Sequence, residues 1–448
     1  MTDRSANREL ILDILLEILE KGGYSHVILR QALGKYPYLS RQDRAFITRA
    51  TEGTLEYLIQ IDWVLNRYSS LRTEKMKPMI RTILRMSVYQ ILYMDRVPDS
   101  AACNEGVKLA QSRRFSGLRG FVNGILRRIS REKADILKEL HSRELEPSIR
   151  YSIPEWLWAR WRRELGEEAA ERTVAAFLRQ RPLTVRCYLS RASQEEIRAS
   201  LERQQVRCTP SDLLPGVISI ENYDRIEELE AFKKGWIQVQ DLSSCLAGAA
   251  APLKPGDYVV DVCAAPGGKS LHIADRLAGT GRVDARDVSP AKAALIEESI
   301  VRTGLSNIQV KVRDALVPDI DGREQADLVL ADLPCSGLGI LGKKPDIKLH
   351  ITPEGIEALA KLQREILGVI WQYVKPGGYL LYSTCTISQR ENQENAAWFL
   401  ENHPFQPVDL GGRLGEGIDS PTLKEGWIQL LPGDYPCDGF FLALFQRR

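Results

Sequence analysis

The feature that most constrains the fold is a regular alternation of predicted strands and helices that begins near residue 246. Short apolar segments, which are typical of strands, alternate for most of this region with longer segments such as KSLHIADRLA and SPAKAALIEESIVRTG. In these longer segments the apolar residues recur at helical spacing. Such alternation specifies a parallel sheet that is covered by helices on both faces. Ligands of these sheets bind beyond the carboxyl ends of the strands. The predicted strands are 258–264, 282–288, 308–314, 326–332 and 378–385.

A glycine-rich turn follows the first of these strands, in the stretch DVCAAPGGKS. Its ending resembles a P-loop, but that pattern requires a glycine five residues before Gly268, where this chain has Cys263. The turn therefore does not predict a nucleotide triphosphatase. Gly267 and Gly268 still allow the backbone to approach a ligand closely.

Two acids end the next two predicted strands. Asp287 follows the glycines by about 20 residues, where an acid suits the hydroxyls of a ribose, and Asp314 is placed to accept from an adenine amine. Alone, each acid would more commonly cap a helix. Together with the turn, they indicate a cofactor that contains adenosine. The spacing does not separate NAD from S-adenosylmethionine, although the G-x-G-x-x-G pattern expected for NAD is missing.

Two further strand ends carry cysteines. ADLPCSG places Cys335 three residues after Asp332, and YSTCT places Cys385 after the last predicted strand. A single cysteine at such a position is usually a small apolar filler. Two cysteines on neighbouring loops at the cofactor edge favour a covalent mechanism.

The motifs D-x-C-A-A-P-G-G-K, D-x-P-C-S-G and S-T-C-T, in this order, resemble the RNA (cytosine-5)-methyltransferase family, which uses S-adenosylmethionine. GFVNGILRRI, KKPDIK and DGFFLALFQR resemble its Fmu/Sun branch, the ribosomal RNA small subunit methyltransferase B type, which has an N-terminal NusB-like RNA-binding domain. The resemblance covers essentially the whole chain. It departs at Tyr188, where the family often has asparagine. It implies a Rossmann-like class I methyltransferase domain over residues 246–448.

The resemblance also implies a role for each site residue. Cys385 would add to C6 of a specific cytidine in small-subunit (16S) rRNA, so that C5 can attack the cofactor's methyl group. Asp332 would hydrogen-bond the base edge, and Cys335 would assist release of the product. Lys269 would orient either the base or the cofactor. The expected cofactor-binding residues are Cys263, Ala264, Ala265, Pro266, Gly267, Gly268, Lys269, Asp287, Asp314 and Asp332.

Residues 1–145 are predicted to be helical, and they are basic. Apolar residues recur at helical spacing, and residues 1–150 hold 26 Lys and Arg against 18 Asp and Glu, although the whole chain has a net charge of +2. Residues 112–132 alone hold six arginines and one acid. We expect RNA contact from this surface, the alternative being a solvated helical face. The candidate RNA-binding residues are Arg113, Arg114, Arg127, Arg128, Lys344 and Lys348.

Residues 146–245 are predicted to form a helical connector and a small α/β RNA-binding module. The connector has three nearby tryptophans, which more often form a packed core than a base-stacking platform. The module combines strand-like LTVRCYL, VISI and GWIQVQD with helical SQEEIRASLERQ.

The same sequence argues against several other classes of protein. It contains no apolar run of membrane-spanning length, and its N-terminus is too polar for a secretory signal. Eight cysteines without a C-x-x-C pair, together with five histidines, predict neither a disulfide framework nor a zinc site. We therefore expect a cytoplasmic, metal-free monomer whose partner is small-subunit ribosomal RNA.

Three other functions compete with RNA (cytosine-5) methylation. A DNA cytosine-5 enzyme would use Cys335 as its nucleophile, which leaves Cys385 and the NusB-like region unexplained. A methyltransferase for exocyclic amines would need a (D/N)-P-P-(Y/F) loop, whereas Leu333 separates Asp332 from Pro334 here. A non-catalytic RNA scaffold would not need both cysteines and the cofactor acids.

Overall fold

Two units divide the chain in the computed structural model, which describes residues 4–448. The first unit comprises Met1–Arg179 together with Leu341–His350, and the second comprises Gln180–Ile340 together with Ile351–Arg448. The domain boundaries expected near residues 145 and 245 stay predictions.

The described part of the first unit is helical, as expected from the spacing of its apolar residues. In α1, Ile11, Ile14, Leu15 and Ile18 are all buried, so the helix face predicted from sequence is the face that packs. Helix α5 lies at the centre and contacts six other helices. The helices are α1 Arg4–Lys21, α2 Ser25–Lys35, α3 Arg41–Glu56, α4 Leu58–Tyr68, α5 Pro78–Tyr93, α6 Asp99–Ser112, α7 Arg119–Arg131, α8 Lys133–Leu140, α9 Pro147–Arg150, α10 Glu155–Leu165 and α11 Glu167–Phe177.

The tryptophan cluster belongs to α10. Trp158 and Trp161 are buried, and the Trp161 ring lies 5.9 Å from that of Phe177 in α11. These rings therefore pack a core, as predicted.

A small antiparallel sheet opens the second unit, with strand order β2-β3-β1-β4. Tyr188, the residue that departs from the family pattern, is fully buried, and the guanidinium of Arg186 lies 4.2 Å from the centre of its ring. Arg186 also donates to Asp275, at 3.2 Å. Tyr188 is thus a packing residue. The elements are β1 Leu183–Cys187, α12 Gln194–Arg203, β2 Arg207–Pro210, β3 Val217–Glu221, α13 Glu230–Lys233 and β4 Ile237–Val239.

The larger sheet has eight strands in the order β10-β12-β9-β8-β5-β6-β7, with β11 paired to β12. Strands β5 to β9 are parallel, as predicted, whereas β10, β11 and β12 are antiparallel additions at one side. The elements are α14 Leu242–Ala250, β5 Tyr258–Asp261, α15 Gly268–Arg276, β6 Arg282–Asp287, α16 Pro290–Thr303, β7 Ile308–Val312, β8 Ala326–Asp332, α18 Pro353–Ile370, β9 Val374–Thr384, α19 Gln393–Asn402, β10 Phe405–Pro407, β11 Trp427–Leu430 and β12 Phe440–Arg447. The short helix α17, Ile347–His350, belongs to the first unit.

Candidate active site

The predicted site residues meet at one edge of the larger sheet, because parallel strands end at the same edge. Asp287 is the last residue of β6, and Asp332 is the last residue of β8. Cys385 directly follows β9. Strand β5 lies between β8 and β6, so the chain builds outward from β5 in both directions and leaves a crevice there.

The glycine-rich turn joins β5 to α15 at this crevice. Gly267 has a φ of 103°, which L-residues with a side chain rarely adopt, and a Cβ at this position would lie 3.1 Å from the side chain of Ile296. The amide of Gly267 donates to the carbonyl of Ala264, at 2.7 Å. The turn is therefore tight, and the amides at the start of α15 are left for a ligand or solvent.

The two predicted cofactor acids do not cap helices. Asp287 is buried and accepts from the amides of Ala265 and Ser289, at 3.3 and 3.1 Å, while the Ser289 hydroxyl itself caps α16. Asp314 is exposed and accepts from the amide of Leu316, at 2.9 Å, in a turn. The helix-cap interpretation is wrong for both acids.

The two cysteine loops bring their sulfurs into contact. The Sγ atoms of Cys335 and Cys385 are 3.3 Å apart. The hydrogen bond to Cys385 and then burial raise the pKa of the Cys335 thiol well above its ordinary value. Cys335 therefore keeps its proton at neutral pH, and either sulfur can donate in the contact between them.

An ion pair lies beside the cysteines. Nζ of Lys269, in α15, donates to Asp332 at 2.6 Å, and the hydroxyl of Ser383 donates to the other carboxylate oxygen at 2.8 Å. Burial lowers the pKa of Lys269, but Asp332 and the charges of Asp261 and Cys385 outweigh it, so the net shift is upward. Lys269 therefore brings a lasting positive charge to the cysteine pair.

Three family models match the chain in succession. The NusB family model matches residues 5–131, the ferredoxin-like domain of RsmF/B-like methyltransferases matches 153–227, and 16S rRNA methyltransferase RsmB/F matches 250–446. The probable ribosomal RNA small subunit methyltransferase B of Bacillus subtilis is 34% identical over 99% of both chains. Its counterpart from Synechocystis is 32% identical over 98% of this chain and 99% of the relative. This chain belongs to the RsmB/F family of 16S rRNA methyltransferases.

Solved structures agree with this RsmB/F assignment. The crystal structure of PH0851 is 27% identical, with a TM-score of 0.81, and covers 100% of this chain and 99% of that chain. A methyltransferase homolog from Pyrococcus horikoshii is 25% identical, with a TM-score of 0.58, and covers 68% and 100%, respectively. The predicted fold class, with a NusB-like helical region, a small middle module and a Rossmann-like methyltransferase domain, is confirmed.

Among residues 4–448, none of the helices combines the length and the apolar character that crossing a bilayer requires. The same residues contain no cluster of three His, Cys, Asp or Glu side chains that could hold a metal ion.

Two of the predicted RNA-binding arginines follow α6, two lie in α7, and most of them have protein partners. Arg113 pairs with Asp13 at 2.8 Å, and Arg127 donates to Asn104 at 2.6 Å. Arg128 is exposed, donates to Glu132 at 3.4 Å and lies 5.0 Å from the Tyr68 ring centre. Arg114, just after α6, is also exposed.

The prediction that Lys348 binds RNA is wrong, because its ammonium is buried in the first unit. Nζ donates to the carbonyl oxygens of Glu56 and Ser152, at 2.5 and 2.7 Å. Burial lowers the pKa of Lys348 to about 7. Lys344, four residues earlier, is half-buried, and its RNA contact stays a prediction.

Several residues that contact this site are not identified from sequence. Ser383 and Phe440 stand within quoted motifs, but the role of Ser383 on Asp332 and the 5.2 Å approach of Lys269 to the Phe440 ring depend on the fold. Glu391 is fully buried behind the cysteine loops. Its neighbours in RENQE are charged or polar, which is typical of an exposed helix start rather than a site.

Proposed function

We propose that this RsmB/F methyltransferase transfers a methyl group from S-adenosyl-L-methionine to C5 of a cytidine in 16S rRNA, through a bond between Cys385 and C6. The observation that carries the proposal is the 3.3 Å contact between the two sulfurs, next to the Lys269–Asp332 ion pair. A methyltransferase for an exocyclic amine has no use for two adjacent thiols.

The residues at the crevice fit the proposed cofactor. At Gly267 a side chain would crowd Ile296, so the turn stays open to a ligand that approaches its backbone. Asp287 is held in place by two amides and retains acceptor capacity for ribose hydroxyls. The exposed carboxylate of Asp314 suits an adenine amine. When bound there, S-adenosylmethionine supplies an electrophilic methyl group.

The protein's own residues account for the activation of cytosine. A thiolate at Cys385 attacks C6 and displaces the C5–C6 π electrons toward C5, which then takes the methyl group. Asp332 would accept from the amino group of the base, and from N3 once that atom carries a proton, and Lys269 fixes the orientation of the carboxylate. The ammonium of Lys269 also favours the thiolate electrostatically.

Release of the product requires the loss of a proton and of the enzyme bond. The C5 proton passes to water, the C5=C6 bond re-forms, and the C6–S electron pair returns to Cys385. Cys335, which keeps its proton at neutral pH, gives it to the departing sulfur across the 3.3 Å contact. The thiolate then formed on Cys335 takes the proton back from Cys385, which restores the thiolate on Cys385 and the thiol on Cys335.

The test uses methyl-labelled S-adenosylmethionine with 16S rRNA, offered both free and in small-subunit particles. After digestion to nucleosides, we expect the label in 5-methylcytidine. Cys385→Ala should abolish labelling, whereas Cys208→Ala, at a half-buried cysteine in β2, should retain it. Label in any other nucleoside, or full labelling with Cys385→Ala, would refute the proposal.

A further inference from the structure

A buried carboxylate lies directly behind the two cysteine loops. Glu391 is fully buried, and its Oε1 and Oε2 accept from the amide and hydroxyl of Ser336, at 2.8 and 2.5 Å. Ser336 directly follows Cys335 in the chain. Burial raises the pKa of Glu391, and the two hydrogen bonds from Ser336 oppose that shift, so these contacts favour the carboxylate form.

The hydrogen bonds continue from this loop to the other cysteine loop. The Ser336 hydroxyl lies 2.7 Å from that of Thr386, which directly follows Cys385. Because the Ser336 hydrogen is directed to the carboxylate, Thr386 must donate to Ser336. The carboxylate of Glu391 thus sets the direction of a chain that joins the two loops immediately behind their sulfurs.

A third element supports the same carboxylate. Gln363, in α18, is fully buried and donates to Glu391 at 3.2 Å and to the carbonyl of Pro334 at 2.9 Å. Pro334 directly precedes Cys335, so that loop is held on both sides of its cysteine. The hydroxyl of Tyr382 donates to the backbone carbonyl of Glu391 and ties the acid to β9.

We propose that Glu391 is a positioning residue that holds the sulfurs of Cys335 and Cys385 in contact, acting through Ser336 and Thr386. The importance of this contact for catalysis rests on the function proposed above, but the geometry does not. Without the carboxylate, two donors of Ser336 lose their acceptor and the link to Thr386 loses its direction. The loops then separate, and the proton transfer between the sulfurs becomes inefficient.

The first test measures the sulfur contact without RNA. A mild thiol oxidant such as diamide is added, and the rate of disulfide formation between Cys335 and Cys385 is followed by peptide mass spectrometry. Thr386→Val, which removes one hydroxyl with little change in shape, should slow this rate by about tenfold, and Glu391→Ala should slow it at least as much.

Two variants calibrate this result. Glu391→Gln should stay within about twofold of the wild type, because its carboxamide still accepts from the Ser336 amide and donates to the Ser336 hydroxyl. Glu394→Ala serves as the matched control, since this acid is only three residues away, in the first turn of α19, pairs with Arg390 on the surface and should leave the rate unchanged. Thermal unfolding checks that each variant is folded. If Glu391→Ala is not folded, the disulfide rate of Thr386→Val alone decides the test.

The second test follows methylation in the same variants. Thr386→Val and Glu391→Ala should accumulate the protein–RNA adduct and lower kcat with little change in KM, and Glu391→Gln should restore turnover. Unchanged disulfide rates in both folded variants would overturn the positioning role, whatever their methylation. Absence of 5-methylcytidine in the wild type, with slowed disulfide formation in the variants, would instead refute the proposed function and leave the positioning role standing.

Discussion

The contact between Cys335 and Cys385 makes a prediction that separates the roles of the two thiols. Cys335→Ala removes a thiol that lies 3.3 Å from the other sulfur and keeps its proton at neutral pH. We expect this variant to form the bond to C6 and to transfer the methyl group, but to release the RNA slowly. Cys385→Ala should form no adduct at all.

The size of the effect follows from the role of the lost proton. A well-placed general acid contributes about 10²–10⁴-fold to the step that it assists. If adduct formation and release occur at equal rates in the wild type, half of the enzyme is in the adduct. Slowing release about 100-fold then raises that fraction to about 99%, which a denaturing gel detects easily.

The assay incubates each variant with 16S rRNA and S-adenosylmethionine and resolves the adduct on a denaturing gel. The outcome that would refute the assignment is the reverse pattern, with adduct trapped by Cys385→Ala and lost with Cys335→Ala, as a DNA cytosine-5 type of mechanism requires. Normal turnover in both variants would mean that the thiols only pack. Cys208→Ala again serves as the control for loss of a cysteine elsewhere.

Three further predictions concern the cofactor, the RNA and the buried lysine. Asp287→Asn should weaken S-adenosylmethionine binding about 10- to 100-fold in calorimetry, through loss of a charge-assisted hydrogen bond; unchanged affinity would remove Asp287 from the site. Replacing Arg127 and Arg128 with alanine should weaken RNA binding and flatten its salt dependence without affecting the cofactor, and an unaltered slope would contradict RNA contact. Lys348 has a pKa of about 7 in the folded protein, below its ordinary value of 10.5. Between these two pH values Lys348 is protonated in the unfolded chain but not in the folded one, so the stability of the folded protein rises with pH over this range. Between pH 7 and 10, the free energy of urea unfolding of the wild type should therefore rise, relative to that of Lys348→Met, by up to about 1.4 kcal/mol per pH unit. A difference between the two unfolding free energies that does not change with pH would contradict the lowered pKa.

The regular part of the fold was predictable because its apolar patterns are strong. The strand predicted over 326–332 has those bounds in the structure, as Ala326–Asp332. Strand β2, Arg207–Pro210, was missed because it is an edge strand without a buried residue, and it ends in a proline that only such strands tolerate. Strand β9 begins at Val374, before the predicted start at 378. The first residues of β9 have the composition of a turn, but a register shift between β8 and β9 allows them to pair with β8.

The antiparallel side of the sheet was not predicted, for a different reason. The segment that forms β12 is apolar and was noted for its family resemblance, but an apolar run does not indicate the direction in which a strand pairs. That direction is set by the connections between β9 and β12, which run through α19, β10 and β11.

The error over Lys348 has a physical cause as well. Lysine is almost always exposed, and the lysines of KKPDIK, a motif that resembles the RNA-methyltransferase branch, are therefore expected on a surface that can contact RNA. Here Nζ instead satisfies two carbonyl oxygens at the end of α3 and beside α9, so Lys348 fastens the segment Leu341–His350 within the helical unit. Nothing in KKPDIK distinguishes the lysine that is buried from those that are not.

The assignment of the nucleophile also depends on contacts that the sequence does not contain. The motifs provide two cysteines at equivalent strand ends, and only a family resemblance chooses between them. We propose the same choice on electrostatic grounds: the hydrogen bond to Cys385 and burial raise the pKa of the Cys335 thiol, whereas the positive charge of Lys269 favours a thiolate on Cys385. Lys269 belongs to the cofactor turn and pairs with Asp332 of the cysteine side. One ion pair would therefore orient the carboxylate that we propose to bind the base and would favour a thiolate on Cys385, and both effects arise from residues 63 positions apart in sequence.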